Sequence, residues 1–138
     1  LQRFDIRYVV FGTVERVIAG ERGRAALLAS PCLTVEVEQD DLFVALRGTA
    51  RVVVLDRETS ETFCEDIGDG NPVAIYVPGH HGHGYEALTD CLVCYHVTAE
   101  YDSAEPDEHT IAWNDPRVAH LWSTSTPILS ARDAAVGP

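Results

Sequence analysis

Val73-Ala-Ile-Tyr-Val-Pro-Gly-His-His-Gly-His-Gly-Tyr85, then a polar turn, then Cys91-Leu-Val-Cys-Tyr-His-Val97, is the stretch that decides the fold. It reads as a buried strand, a Pro/Gly-rich bend carrying three of the chain's six histidines, and a second apolar strand. A rigid bend between strands holds polar side chains at the mouth of a barrel, where all-β proteins often bind ligands. Three histidines in four positions bring no packing gain. The bend is therefore a candidate site as well as a fold signal.

The neighbouring segments repeat the strand pattern. Leu33-Thr-Val-Glu-Val-Glu38 alternates cleanly, as a half-buried strand does, with Glu36 and Glu38 expected on its wet face. Leu42-Phe-Val-Ala-Leu46 and Arg51-Val-Val-Val-Leu55 flank a short glycine turn and read as a hairpin. Glu61-Thr-Phe-Cys-Glu-Asp-Ile67 is a further strand, closed by the turn Gly68-Asp-Gly-Asn-Pro72. Residues 1–20 alternate weakly, Thr110-Ile-Ala-Trp113 is a last strand, and a short helix is expected near residues 130–135. Short strands at regular spacing, with Gly/Pro turns and no long amphipathic helix, predict an all-β sandwich or barrel.

Composition bounds the function. At 138 residues with 46% hydrophobic residues, the chain is long enough for one domain with its own core. Twenty-two acidic against ten basic residues give a net charge of −12, which excludes unaided nucleic-acid binding, since neutralising phosphates needs clustered Lys and Arg. A nucleotide ligand remains open, because one or two local arginines such as Arg51 suffice. No apolar run approaches the roughly 18 residues of a membrane span, and a cytoplasmic location is expected. Cys91 and Cys94 fall three apart on a strand and so face opposite sides, which predicts buried free thiols rather than a metal pair.

Read together, these segments resemble the dTDP-4-dehydrorhamnose 3,5-epimerase family, cupin-type jelly rolls acting on nucleotide-linked keto sugars. The resemblance runs over residues 42–133, with residues 1–41 divergent and 134–138 a tail of a single domain spanning 1–138. Leu42-Phe-Val-Ala-Leu-Arg-Gly48 with Val52-Val-Val-Leu-Asp56 is similar to the family's hairpin. Tyr76-Val-Pro78 through His83-Gly-Tyr85 resembles its "(W/I)-P-x-G-F-A-H-G-F" segment. Tyr95-x-x-Thr98-x-x-Tyr101 resembles "Y-K-x-T-x-x-Y". Ile111-Ala-Trp-Asn-Asp115 and Pro127-Ile-Leu-Ser-Ala-Arg-Asp133 resemble "I-x-W-N-D" and "P-x-L-S-x-K-D".

The resemblance implies a cupin-like double-stranded β-helix that pairs as a homodimer and removes a proton alpha to a C4 ketone. By residue, Tyr101 matches the general acid and Asp133 the carboxylate that orients the base. His83 and Tyr95 match pocket positions. His80, His81, Tyr85 and Arg51 complete the substrate-binding candidates. For Tyr95 and Tyr101, six apart and on one face of an unbroken strand, core packing is the competing reading. Trp113 and Trp122 read as packing residues. No cofactor is implied. A metal would need three ligands from one bend, because the segment 42–55 carries no histidine, so no metal is expected.

The family's base stands in "G-(V/T)-L-R-G-x-H-(Y/F)-Q". The nearest stretch is Gly12-Thr-Val-Glu-Arg-Val-Ile-Ala-Gly20, which puts Ile18 at the histidine and Glu15 at the arginine. No histidine precedes His80. The family's lysine falls on Asp41, a reversal of charge. Family chains also begin with strands that cross into a partner subunit, and Leu1 is expected to start after them. Three functions follow. The first is a deoxysugar epimerase, inverting one centre or both, with a substitute base among His80, His81 and His96. The others are a cyclase or isomerase on another natural product, and a catalytically silent binding subunit.

Overall fold

A computed structural model describes residues 14–17, 32–37, 39–99 and 108–136. Nine strands follow one another: β1 Val14–Val17, β2 Leu33–Glu36, β3 Asp41–Arg47, β4 Thr49–Asp56, β5 Thr62–Gly68, β6 Ala74–Val77, β7 His81–Ala87, β8 Cys91–Val97 and β9 Glu108–Ile111. A 3₁₀ turn at Ala119–Leu121 and a short helix α1 at Ala131–Ala134 complete the described elements. The strands form two antiparallel sheets, ordered β1-β8-β3-β6 and β5-β4-β7-β2-β9. This is the all-β architecture expected from the strand spacing and the cupin-like jelly roll that the resemblance implies. Among the described residues no helix is long and apolar enough to cross a membrane.

One local expectation is corrected. β3 and β4 are not a hairpin: β3 pairs with β6 and β8, while β4 pairs with β5 and β7 in the other sheet. The single residue between them is Gly48, with φ +71°. A one-residue link in the left-handed region turns the chain through a corner instead of folding it back. A bulge between Ala45 and Arg47 in the β3–β8 ladder bends the strand into that corner. A side chain at residue 48 would collide with the Asp90 carbonyl oxygen, so the corner also packs against the turn between β7 and β8.

The interior between the sheets holds Phe43, Val52, Val54, Ile67, Ile75, Val77, Tyr85 and Val93. A second apolar layer lies on the outer face of the five-stranded sheet. There Leu33, Val53 and Leu55 meet Val118 and Trp122 of the C-terminal segment. Trp122 donates its indole N–H to the Trp113 carbonyl at 2.9 Å, so both tryptophans serve packing. Covering both faces of β4 explains why residues 52–55 read as an unbroken apolar run. Cys91 lies in the interior and Cys94, three residues on, belongs to the opposite face. Burial raises the Cys91 thiol to about 11. Cys64, Cys91 and Cys94 are free thiols, and the Cys32 thiol donates to the Asp133 carbonyl oxygen.

Gly48→Ala is expected to destabilise the protein by at least about 1–3 kcal/mol, from backbone strain and the collision with the Asp90 carbonyl. Urea denaturation followed by circular dichroism measures it. A variant as stable as the parent would show that the corner does not need glycine.

Candidate functional site

Alternation along β7 builds the site. His81, His83, Tyr85 and Ala87 point toward the facing sheet, and Gly82, Gly84 and Glu86 point to the outer layer. The histidines were expected on the bend, but only His80 lies there. His81 and His83 belong to the strand. The reason is Gly82: a Cβ at this position would lie 3.2 Å from Ile111 and 3.3 Å from Leu33. Glycine is used here for close packing of the outer layer, not for a turn. His80 takes the bend itself, with φ 70°, and its backbone N–H donates to the Glu36 carbonyl at 2.8 Å. Asp40 fixes the same bend by accepting from the Gly79 N–H at 2.8 Å and the Tyr76 hydroxyl at 2.8 Å.

His83 is buried opposite Thr34 on β2 and Val54 on β4. Its Nδ1 lies 3.3 Å from the His81 carbonyl oxygen. A carbonyl only accepts, so this contact places the proton on Nδ1 and turns Nε2 toward two carboxyl groups. Nε2 lies 3.4 Å from Asp41 Oδ2 and 4.0 Å from Glu36 Oε2. Asp41 is only 3% exposed. Burial pushes its carboxyl above the usual range, opposed by the charge of His83 and by hydrogen bonding with Glu36 and Gln39. Gln39 donates its side-chain amide to Asp41 Oδ1 at 3.3 Å.

An aromatic wall stands against this cluster. Phe43 meets His83 edge-on at 5.4 Å, stacks on Tyr95 at 5.8 Å and tilts against Tyr85 at 6.1 Å. At the mouth, His81 faces Asp56 directly across the β4–β7 ladder, with Nε2 to Oδ2 at 4.0 Å. The Gly79 carbonyl oxygen, 3.2 Å from Nδ1, fixes the His81 ring in the same tautomer as His83. Asp56 accepts from the Glu58 and Thr59 backbone N–H groups, which hold its carboxyl below the usual range. The arrangement suits proton transfer: an imidazole at the rim, oriented through Nδ1 by a backbone carbonyl, with a carboxylate near Nε2. Val54, Phe63, Ala74, Ile75 and Tyr76 line an apolar hollow of about 280 Å³.

The candidates divide accordingly. His83, Tyr85 and Tyr95 come together around Phe43, and His81 joins them at the mouth. His80 is exposed on the bend. His96 shares the other face of β8 with Cys94, whose sulfur is 3.7 Å from its Nε2. Arg51 is corrected: it lies on the outer face of β4, paired with Asp66 at 2.7 and 2.9 Å and donating to the Leu121 carbonyl at 3.1 Å. The same alternation that sends Val52 and Val54 inward sends Arg51 out. Asp133 is buried in α1, where Ser130 Oγ donates to it at 2.8 Å. Its carbonyl oxygen accepts from Cys32 Sγ at 3.7 Å. Cys32 precedes Glu36 by four residues, roughly 13 Å of strand. Tyr101 and Ile18 lie outside the described residues.

Glu36, Asp41, Phe43 and Asp56 were not site candidates from the sequence. Glu36 was expected in water; it faces the interior, because Leu33 of the same strand is already covered by the outer layer. Only the reversed charge at Asp41 was a signal in the sequence.

Known proteins agree with this architecture. The sequence profile described as dTDP-4-dehydrorhamnose 3,5-epimerase matches residues 33–138. The chain is 36% identical over 94 residues to the Bacillus subtilis spore coat polysaccharide biosynthesis protein SpsL, covering 63% of this chain and 62% of that protein. It is 37% identical over 94 residues to a dTDP-4-dehydrorhamnose 3-epimerase of Streptomyces niveus, covering 64% of this chain and 44% of that one. The chain thus matches less than two thirds of either relative's length. The structure superposes on the Mycobacterium tuberculosis rmlC epimerase with a TM-score of 0.71 at 28% identity, covering 92% of this chain and 66% of that one.

The outer face of β4 and the inner face of β3 make opposite forecasts. Arg51→Met is expected to cost about 1 kcal/mol of stability, as a half-exposed ion pair does, and to leave ligand affinity unchanged. Phe43→Ala is expected to cost about 3–5 kcal/mol. Denaturant melts and ligand titration of both variants check this, and weakened binding by Arg51→Met alone would return Arg51 to the site.

Proposed function

The chain belongs to the dTDP-4-dehydrorhamnose 3,5-epimerase family, and we propose that it moves a proton alpha to the ketone of a nucleotide-linked 4-keto-6-deoxy sugar. The reading carries one inversion rather than the full 3,5-epimerisation, because Ile18, Glu15 and Asp41 stand where the family has its base and two cations. The observation that carries it is the His81–Asp56 pair at the mouth of an aromatic-lined interior. Of the three substitute bases, His80 is exposed and His96 belongs to the other face of β8, which leaves His81.

In this reading His81 Nε2 takes the proton from the sugar carbon. Its Nδ1–H stays on the Gly79 carbonyl oxygen, and Asp56 balances the positive charge that forms. The electron pair of the broken C–H bond moves to the C4 oxygen as an enolate. Tyr101 returns a proton from the opposite face, the role its resemblance assigns. Phe43, Tyr85 and Tyr95 hold the ring and keep water away. Asp133, without a histidine partner at residue 18, acts in packing. The protein works as a homodimer.

A different ligand has one observation in its favour: a carboxyl group, Asp41, stands where the family's lysine supports an enolate. Incubation with a dTDP-4-keto-6-deoxyhexose in D₂O, followed by NMR at C3 and C5, separates the readings. Deuterium is expected to enter at one of the two carbons. His81→Gln should slow entry by about 10²–10⁴-fold, and Tyr101→Phe should reduce inversion more than exchange. Entry no faster than in a blank sinks the epimerase. If the sugar nucleotide still raises the melting temperature, a binding subunit takes its place. With neither effect, the ligand belongs to another class.

A further inference from the structure

We propose that Glu36, Asp41 and His83 form a binding site for one divalent transition-metal cation. One ligand atom from each lies within 4.8 Å of the others, and the three come from separate strands, β2, β3 and β7. The spacing fits. Two ligands each about 2.1 Å from a tetrahedral ion are separated by roughly 3.4 Å, and His83 Nε2 and Asp41 Oδ2 are 3.4 Å apart. Glu36 Oε2, 4.0 Å from the same nitrogen, closes the set by a small rotation of its carboxylate.

The surroundings point the same way, independently of the three ligand atoms. A metal-bound histidine donates its other ring N–H to a carbonyl or carboxylate, which fixes the tautomer. His83 does this through Nδ1 to the His81 carbonyl. Metal-bound carboxylates are likewise held by outer hydrogen bonds, and Gln39 holds Asp41. Asp41 and His83 are buried and Glu36 is mostly so, an arrangement that a bound cation would stabilise. A mixed nitrogen and oxygen donor set suits Zn²⁺, Co²⁺ or Mn²⁺ better than Mg²⁺. Three protein ligands also leave a coordination position open, as at catalytic metal centres.

The site stands on its geometry; its role rests on the deoxysugar reading. At Asp41, where the resemblance aligns a lysine, a bound cation supplies the positive charge that the side chain has lost. It would face the C4 oxygen as the C–H electron pair arrives there, while the proton goes to His81.

The test uses the full chain stripped with chelator and then titrated with Co²⁺ and Zn²⁺ without sugar. One ion per chain is expected to remain after gel filtration, with visible Co²⁺ absorption of low-symmetry coordination and a raised melting temperature. Asp41→Asn, His83→Gln and Glu36→Gln should each weaken binding at least about 100-fold, while His80→Gln leaves it unchanged. Circular dichroism confirms that each variant is folded. Should one of them fail to fold, the other two decide. A folded parent that retains no ion overturns the site, as does retention that survives these substitutions. Exchange at full rate in chelated protein removes the catalytic role while leaving the epimerase intact. A bound ion with no exchange keeps the site and removes the sugar reading.

Discussion

The absence of a side chain at Gly82 is the constraint on which the rest depends. With Leu33 and Ile111 3.2–3.3 Å from where a Cβ would stand, the outer layer presses directly on the β7 backbone. That close approach buries Glu86 completely, and its carboxylate is satisfied by the Ser123 N–H at 2.8 Å and by the Ser123 hydroxyl. Because strand side chains alternate, glycine outward at residue 82 means imidazole inward at 81 and 83. The packing of one face and the chemistry of the other are thus a single sequence decision. A one-residue slip of β7 would lose both at once.

The second constraint is electrostatic. Removing one partner from a buried charged group leaves the others uncompensated, and this costs more than the pair contributes when intact. The interior meets that demand differently in two places. Glu86 is met by neutral donors on one residue of the C-terminal segment, which staples that segment to the sheet. Glu36 and Asp41 instead face an imidazole and each other, with Gln39 the neutral donor on Asp41. The first arrangement is closed and structural. The second gathers ionisable groups around one nitrogen, which is the disposition found where an ion or a proton is handled.

Much of the fold was legible in the sequence, and the reasons are local. Alternation marked residues 33–38, apolar runs marked β4 and β8, and Gly/Pro clusters marked their ends. What was not legible depended on which sheet a strand joins. A short glycine turn between two β-branched runs looks the same whether the chain folds back or turns a corner, and Gly48 turns a corner. Glu36 looked wet because a period of two says only that Val35 and Glu36 face opposite ways. It does not say that both faces are covered. Arg51 looked available for a nucleotide because its partner Asp66 is fifteen residues away on β5. His83 and Tyr95 could be picked out as candidates by the family resemblance, and His81 by its place in the histidine-rich bend. Asp56 and Phe43 could not, since only the ladder register brings Asp56 to His81 and Phe43 to Tyr95.

Sign of charge ties these points together. A nucleotide-linked sugar is anionic and its enolate more so, yet the chain carries −12 and has Asp41 and Glu15 at the positions where the resemblance aligns a lysine and an arginine. Arg51, the cation that remained a candidate, is spent on Asp66. A wall of such composition repels the intermediate it would have to stabilise. Unless an arginine outside the described residues reaches the wall, either a bound cation supplies the positive charge or the ligand is not an enolate former. The first alternative fits the details better. Repulsion alone would be relieved by moving Glu36 and Asp41 into water, whereas they converge on His83 Nε2 with the opposite ring nitrogen already fixed. Side chains from three strands directed at one point are held there by packing, and that expenditure of stability is explained by an ion that occupies the point.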